Sequence, residues 1–233
     1  MNSASSAHGY TLATRLLVRA CNRVALATLM AGSGRAYVSL AAVASDVDGT
    51  PLLLLSTLSD HTRNLLADAA VSLLFDGTAR FANPQEGPRA TVMGSAQRAT
   101  SADLDRIRRR YLASHPGAAQ YAGFSDFAFF RVAGERIHWV GGFGRAAWVE
   151  RPMTVDPATA TRFDAIEPEL VRKLGPLADA VAHARLKRRG AGWQFAAIDP
   201  DGCDFVRGKK SARLAFAAPL GDPAEVEAAL RRR

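Results

Sequence analysis

The sequence predicts an α+β protein: an antiparallel β-barrel with flanking helices, followed by a small C-terminal α+β domain. Three observations predict it. Apolar segments of strand length follow one another at close spacing. Turn signals of hairpin type separate several of them. Only a few segments carry a helical stripe.

The elements follow in order. Residues 10–22 place Leu12, Leu16, Leu17 and Ala20 along one face, an amphipathic helix. Val24–Met30 reads as the first strand, Gly32-Ser33-Gly34 as a turn and Ala36–Ser45 as the second strand. Asp48-Gly49 is a hairpin signal leading into Pro51–Ser56. A polar turn and a short helix, Asn64–Asp68, precede Val71–Phe75. Asn83–Pro88 is a loop and Arg89–Arg98 a fifth strand. Residues 101–114 form a helix, with Leu104, Ile107 and Tyr111 on its buried face, stopped by His115-Pro116-Gly117. A short helix at Ala118–Tyr121 is expected next. Phe124–Val132 and Arg136–Val140 read as a strand pair turning at Gly134.

Residues 8–150 therefore make the barrel domain. A shift to Pro, Thr and small residues marks 151–161 as a linker. Residues 162–233 supply a helix at Glu167–Arg188, strands at Gln194–Asp199, Gly202–Val206 and Ser211–Phe216, and a helix at Pro223–Arg232. That core is thin for independent stability.

The composition narrows the function classes. At 233 residues, 48% hydrophobic and 22% charged, the chain reads as an ordinary globular protein. No apolar run approaches the ~20 residues of a membrane helix. The N-terminus lacks a signal-peptide pattern, and two distant cysteines, Cys21 and Cys203, read as reduced thiols of a cytoplasmic protein. The net charge of +8 invites a nucleic-acid reading, but the basic runs are scattered and not interleaved with aromatics. They read as solvated faces, and nucleic acid is not the expected partner. The five histidines show no metal-ligand spacing, so no metal site is expected. Rossmann, Walker and nucleophile-elbow patterns are absent.

One stretch carries chemistry. From Leu52 to Phe75 an apolar strand gives way to Ser56-Thr57, a polar turn through His61-Thr62-Arg63-Asn64, a helix start and a second strand. Hydroxyls, an amide and an Arg at a helix start suit a phosphate, because the N-terminal N–H groups carry partial positive charge. The same residues also suit an ordinary capped helix with a solvated Arg.

With that order of elements in place, residues 12–150 resemble the FMN-binding split barrel of the pyridoxamine 5′-phosphate oxidase superfamily. The segments that carry the resemblance are ALATL (25–29), GRAYVSL (34–40), DGTPLLLLSTLSDHTRNL (48–65), SLLF (72–75), PRATVMG (88–94), RYLASHPGAAQYAGFSDFAFFRV (110–132) and VGGFGRA (140–146). The Ser-x-x-x-x-His-Thr-x-Asn-Leu form and the closing Gly-Gly-Phe-Gly point to the haem-utilisation-like branch, in which a companion domain follows the barrel. The resemblance implies a homodimer with FMN, a small-molecule ligand, in a groove at the subunit interface. By position, Ser56, Thr57, His61, Thr62, Arg63 and Asn64 would meet the phosphate and ribityl chain, and Val38 and Ser39 would lie beside the flavin. Arg89 and Thr91 would come from the fifth strand. The turn of Gly142, Phe143, Gly144 and Arg145 would close the site from the partner.

Departures narrow the expectation. The vitamin B6 enzyme has an Arg where Ser39 stands and a Lys near Ala44. Its substrate-phosphate motif is replaced here by Tyr111-Leu112-Ala113-Ser114-His115-Pro116. Pyridoxamine phosphate oxidation is not expected, and Arg63 is left as the main cation for a loosely held FMN. The companion domain's Met-Asn-x-Asp-His signature is replaced by Lys173-Leu174-Gly175-Pro176-Leu177, and no His follows His183. The expected function is an FMN-binding oxidoreductase of unknown substrate, with no catalytic residue assigned. A haem-binding or haem-degrading protein and a non-catalytic dimeric binding module are the alternatives.

Overall fold

A computed structural model describes residues 3–149 and 153–231, with residues 3–8 described by backbone alone. The His8 side chain, the 151–152 part of the expected linker and Arg232 of the expected last helix lie outside the described residues. Two compact units emerge, Met1–Tyr111 with Gln120–Thr154, and Leu112–Ala119 with Val155–Arg233. Among the described residues no helix is long and apolar enough to cross a membrane.

The first unit is a barrel. Its strands are β1 (Arg23–Leu29), β2 (Ala36–Ser45), β3 (Pro51–Ser56), β4 (Ala70–Asp76), β5 (Arg89–Arg98), β6 (Phe127–Val140) and β7 (Ala146–Val149). They run in the order β3-β2-β1-β4-β5-β6-β7, and β3 also pairs with β6. Six strands thus close into an antiparallel ring, which removes the sheet edges. Alternate residues point inward. Leu26, Leu53, Leu73, Phe75, Val92 and Phe130 are among those that fill the interior, each stabilising by roughly 1.5–3 kcal/mol on burial. The α+β class and the barrel read from the sequence hold. So does the Asp48-Gly49 hairpin. Gly49 takes φ +96 and donates its N–H to Asp46 O, a conformation that favours glycine.

Helices α1 (Ser3–Ala20), α2 (Asp60–Ala67) and α3 (Leu104–Ser114) flank the barrel. The β2–β3 turn is held by charge. Asp46, 2% exposed, pairs with Arg106 at 3.1 Å, and Arg19 donates to the Asp46 and Val47 carbonyls. Removing one partner of so buried a pair costs about 3–5 kcal/mol.

Several expectations change. Gly134 does not turn the chain, and β6 is one strand of 14 residues. Pairing slips by one between Met93 and Gly94, where Gly94 faces Gly134. The extra residue bends β6 as a bulge does, without reversing it. Strand β7 after Gly-Gly-Phe-Gly was not expected. A helix, α4 (Pro157–Leu174), begins inside the expected linker because Asp156 caps it and Pro157 occupies its first turn.

In the second unit, a 3-10 turn at Gly175–Leu177 divides α4 from α5 (Ala178–Leu186), where one helix was expected. Pro176 cannot donate the bond a continuous helix needs. Strands β8 (Gln194–Asp199), β9 (Gly202–Arg207) and β10 (Lys210–Ala215) form an antiparallel sheet, and α6 (Val226–Arg231) follows. Arg213 is wedged between Asp199 at 2.8 Å and Asp204 at 3.0 Å.

Candidate functional site

Most of the expected site residues fall into two groups at opposite ends of β6, while Val38 and Thr91 lie on the outer face of the barrel. Ser56 pairs with Phe127, the first residue of β6, and Arg89 pairs with Val140, the last. A straight strand of this length would set them roughly 40 Å apart.

The first group surrounds α2. This helix packs against β1 and β2. Its Asn64 is 4% exposed, donates to Thr28 Oγ1 at 3.0 Å and accepts from the Ala31 N–H at 3.1 Å. Asn64 thereby fastens the helix to the tip of the β1–β2 hairpin. Ser56 donates to Asp126 Oδ2 at 2.6 Å and accepts from the Leu58 N–H at 3.1 Å. Thr57 is exposed, with its N–H on the Asp126 carbonyl at 2.7 Å. Arg63 is paired with Asp60 at 2.5 Å, and both are more than half exposed. Such surface pairs contribute about 0–1 kcal/mol. The pair is nearly neutral, and Asp60 would repel an incoming phosphate. The Thr62 hydroxyl is buried without a hydrogen-bond partner.

His61 differs from its neighbours. Its Nδ1 lies 3.0 Å from Ser39 Oγ. Burial holds the imidazole below its ordinary range, against the opposing pull of Asp60. It is therefore mainly neutral at pH 7. Leu58, three residues earlier, is 75% exposed.

Val38 does not join this group. It neighbours Ser39 on β2 and so points the other way, out of the barrel. It faces Ala27, which pairs with Ser72 and then Met93. The next outward row runs Leu40, Ala25, Leu74, Thr91, His138 and Trp148. Val38, Leu40, Leu74, Met93 and Trp148 are all exposed. Thr91 thus sits on a mostly apolar outer face of the barrel. A shallow hollow of about 350 Å³ in this face is lined by Ala27, Leu29, Ala36, Ser72, Met93 and Glu135, among others.

The second group surrounds the β6–β7 turn. Arg89 donates to the carbonyls of Gln85 and Gly87, both at 3.2 Å, and so ties down the loop before β5. Arg145 donates to Gly141 O at 2.7 Å across the turn. Gly142, at φ +119, comes so close to Glu86 O that a Cβ would sit 2.8 Å from it. Gly144 takes φ +70, and Phe143 is 71% exposed. A cavity of about 540 Å³ beside the turn is lined by Tyr10, Phe81, Glu86, Trp139, Gly141 and Arg145, among others.

Sequence reasoning missed Asp60, Asp126 and the stack at the outer edge of the barrel. His138 lies on Trp148 at 4.5 Å, and the Arg136 guanidinium sits 4.4 Å from the same ring. Asp60 was visible in the polar turn before the expected helix, and the structure starts α2 at that residue. Asp126 emerges only from the β3–β6 register.

A family model described as CREG, beta-barrel, matches residues 6–157. The chain belongs to that family. The resemblance to the split-barrel superfamily and its haem-utilisation-like branch is borne out with it. A curated relative, the non-canonical heme oxygenase HOZ, chloroplastic, of Arabidopsis thaliana, is 37% identical over 108 residues, 46% of this chain. The match spans 32% of that relative's length. Among solved structures, the Agrobacterium tumefaciens protein Atu2129, of unknown function, superposes with a TM-score of 0.78 at 24% identity. It covers 97% of this chain and 94% of its own. A heme binding protein from Mycobacterium smegmatis gives 0.57 at 23% identity, covering 99% and 96%. These two likenesses concern the fold.

Proposed function

We propose that this CREG-family barrel binds haem and acts on it as a pair of copies. What the α2 turn has left to offer carries the reading. The side chains that a flavin phosphate would need are used inside the protein or sealed off: Ser56 by Asp126, Asn64 by Thr28 and Ala31, Arg63 by Asp60, and Thr62 by burial. Displacing them leaves Asp126 and Thr28 in need of new partners, which opposes phosphate binding. A neutral imidazole beside an exposed leucine suits haem better than a dianion. The identity to a relative named as a heme oxygenase supports the same ligand.

Haem, when bound, supplies one-electron and O2 chemistry. The chain's own groups would hold it: His61 from one side, Leu58 as apolar wall and Arg63 toward the carboxylates. The pairing of copies rests on two observations. The expected site residues stand at opposite ends of β6, so one copy cannot bring them together. The outer face between them is apolar and exposed, as an interface would be. A cytoplasmic location accords with two unpaired thiols.

FMN is the second reading. The order Ser56, Thr57, His61, Thr62, Arg63, Asn64 at the start of α2 favours it, because helix N–H groups there attract phosphate. Parallel titrations of the purified protein with haemin and FMN separate the two. The haem reading expects a saturating Soret change with unquenched FMN fluorescence at tens of micromolar. The opposite pattern installs the flavin oxidoreductase. Silence toward both leaves the non-catalytic binding module. Sedimentation of the wild type and of Leu40→Glu tests the pair of copies: a dimer that dissociates supports it, and a wild-type monomer ends it.

A further inference from the structure

We infer that the Nε2 atom of His61 is the atom that would bind the haem iron, and that Ser39 is the positioning residue that aims it. The inference rests on the haem reading above and deepens it.

Iron-binding imidazoles almost always use the second ring nitrogen to hold a partner, which fixes the tautomer and the ring plane. His61 has that arrangement. Nδ1 is 3.0 Å from Ser39 Oγ, and no hydrogen bond to Nε2 is found among the described residues. With a metal on Nε2, Nδ1 keeps the proton and donates it to the Ser39 hydroxyl.

The other described histidines fit less well. His183 Nε2 is engaged with Gly190 O at 3.0 Å. His138 has its ring against Trp148, with no hydrogen bond to orient it among the described residues. His115 makes contacts of its own within the chain. The surroundings of His61 favour an amphiphilic ligand. Leu58 is exposed in the turn before it, and Arg63 stands two residues beyond it in the same first turn, on a different side of the helix. The Asp60–Arg63 pair is exposed, so Arg63 can exchange Asp60 for a haem carboxylate at little expense.

Sequence alone contains His61 and Ser39 but does not pair them, since they lie 22 residues apart. The hydrogen bond depends on α2 lying on the inner side of β2, where Ser39 points.

The test is spectroscopic. The purified 233-residue chain is titrated with haemin and followed by absorbance, electron paramagnetic resonance and resonance Raman. The wild type is expected to give an imidazole-ligated iron. His61→Ala should lose that signature and weaken binding at least tenfold, and added imidazole should restore the spectrum. His61→Met, which keeps side-chain bulk, should show a thioether-type spectrum. Ser39→Ala should keep bound haem but shift the iron–imidazole stretch, and Ser39→Thr should restore it. Haem bound by the wild type with an unchanged spectrum in both His61 variants overturns the inference while sparing the haem reading. Loss of the signature in His138→Ala instead does the same. A wild type that binds no haemin overturns both.

Discussion

The two ends of β6 are built from similar side chains, arginine, glycine and small polar residues, yet they use them differently. At the α2 end the polar groups bond to one another across distant strands, and one imidazole nitrogen is left over. At the turn end the arginines bond to backbone carbonyls of nearby residues. Arg89 holds the loop before β5, and Arg145 closes its own turn. A cross-strand network sets a side chain's direction. A carbonyl clamp sets a loop's shape. The contrast teaches that the α2 end fixes how a side chain is aimed and the turn end fixes how a loop is shaped, with Phe143 exposed at its apex.

The comparison can be broken most severely at the bend between the two ends. A Cβ on Gly94 would collide with the Ala133 carbonyl oxygen. Gly94→Ala is expected to destabilise the barrel by about 3 kcal/mol or more, read as a drop in the denaturation midpoint. A cost below about 1 kcal/mol would mean that the bend does not depend on this glycine. Asn64→Ala tests the α2 end. Thr28 Oγ1 and the Ala31 N–H lose their partner together, and about 2–3 kcal/mol should go, with faster amide exchange in α2 and at Ala31. Exchange at Gly141–Arg145 should not change.

Gly142→Ala tests the turn end. The residue combines positive φ with a close approach to Glu86 O, so a loss of about 1–3 kcal/mol is expected. Its structural effect should stay within the turn and residues 84–89. Thr62→Val has the opposite sign. It removes a buried hydroxyl that has no partner, and should be neutral or stabilising by about 1 kcal/mol.

The smallest effect concerns pH. Hydrogen bonds from the Thr78 hydroxyl and N–H hold Asp76, which pairs with Arg89 at the turn end, below the usual carboxylate range. A carboxylate depressed on folding contributes stability above its unfolded value of about 4 and loses it as pH falls through the folded value. The turn end should therefore loosen slightly in acid. Asp76→Asn should flatten that acid response, as read by amide exchange near Thr78.

Much of the barrel was legible because its strands are apolar runs with polar breaks. Pro51–Ser56 and the Asp48-Gly49 turn needed no tertiary information. Gly134 misled because a glycine in a strand signals either a turn or a bulge, and only the partner strand decides between them. Strand β7 was invisible because AAWV is short and gains its identity by pairing with Ile137–Val140. The order of the site residues was legible, but their engagement was not. Ser56 meets Asp126 across 70 residues, and that meeting depends on the β3–β6 register. Val38 and Ser39, adjacent in sequence, part company because strand neighbours face opposite ways.

Asn64 has a consequence for how the molecule responds to occupancy. A helix of eight residues does not persist alone in water. It borrows persistence from its lashings to the β1–β2 hairpin. Whatever binds at the first turn of α2 therefore also tightens the hairpin tip around Ala31, by simple mass action on the ordered form. A protease clipping near Gly32 would sense ligand at a helix it never touches.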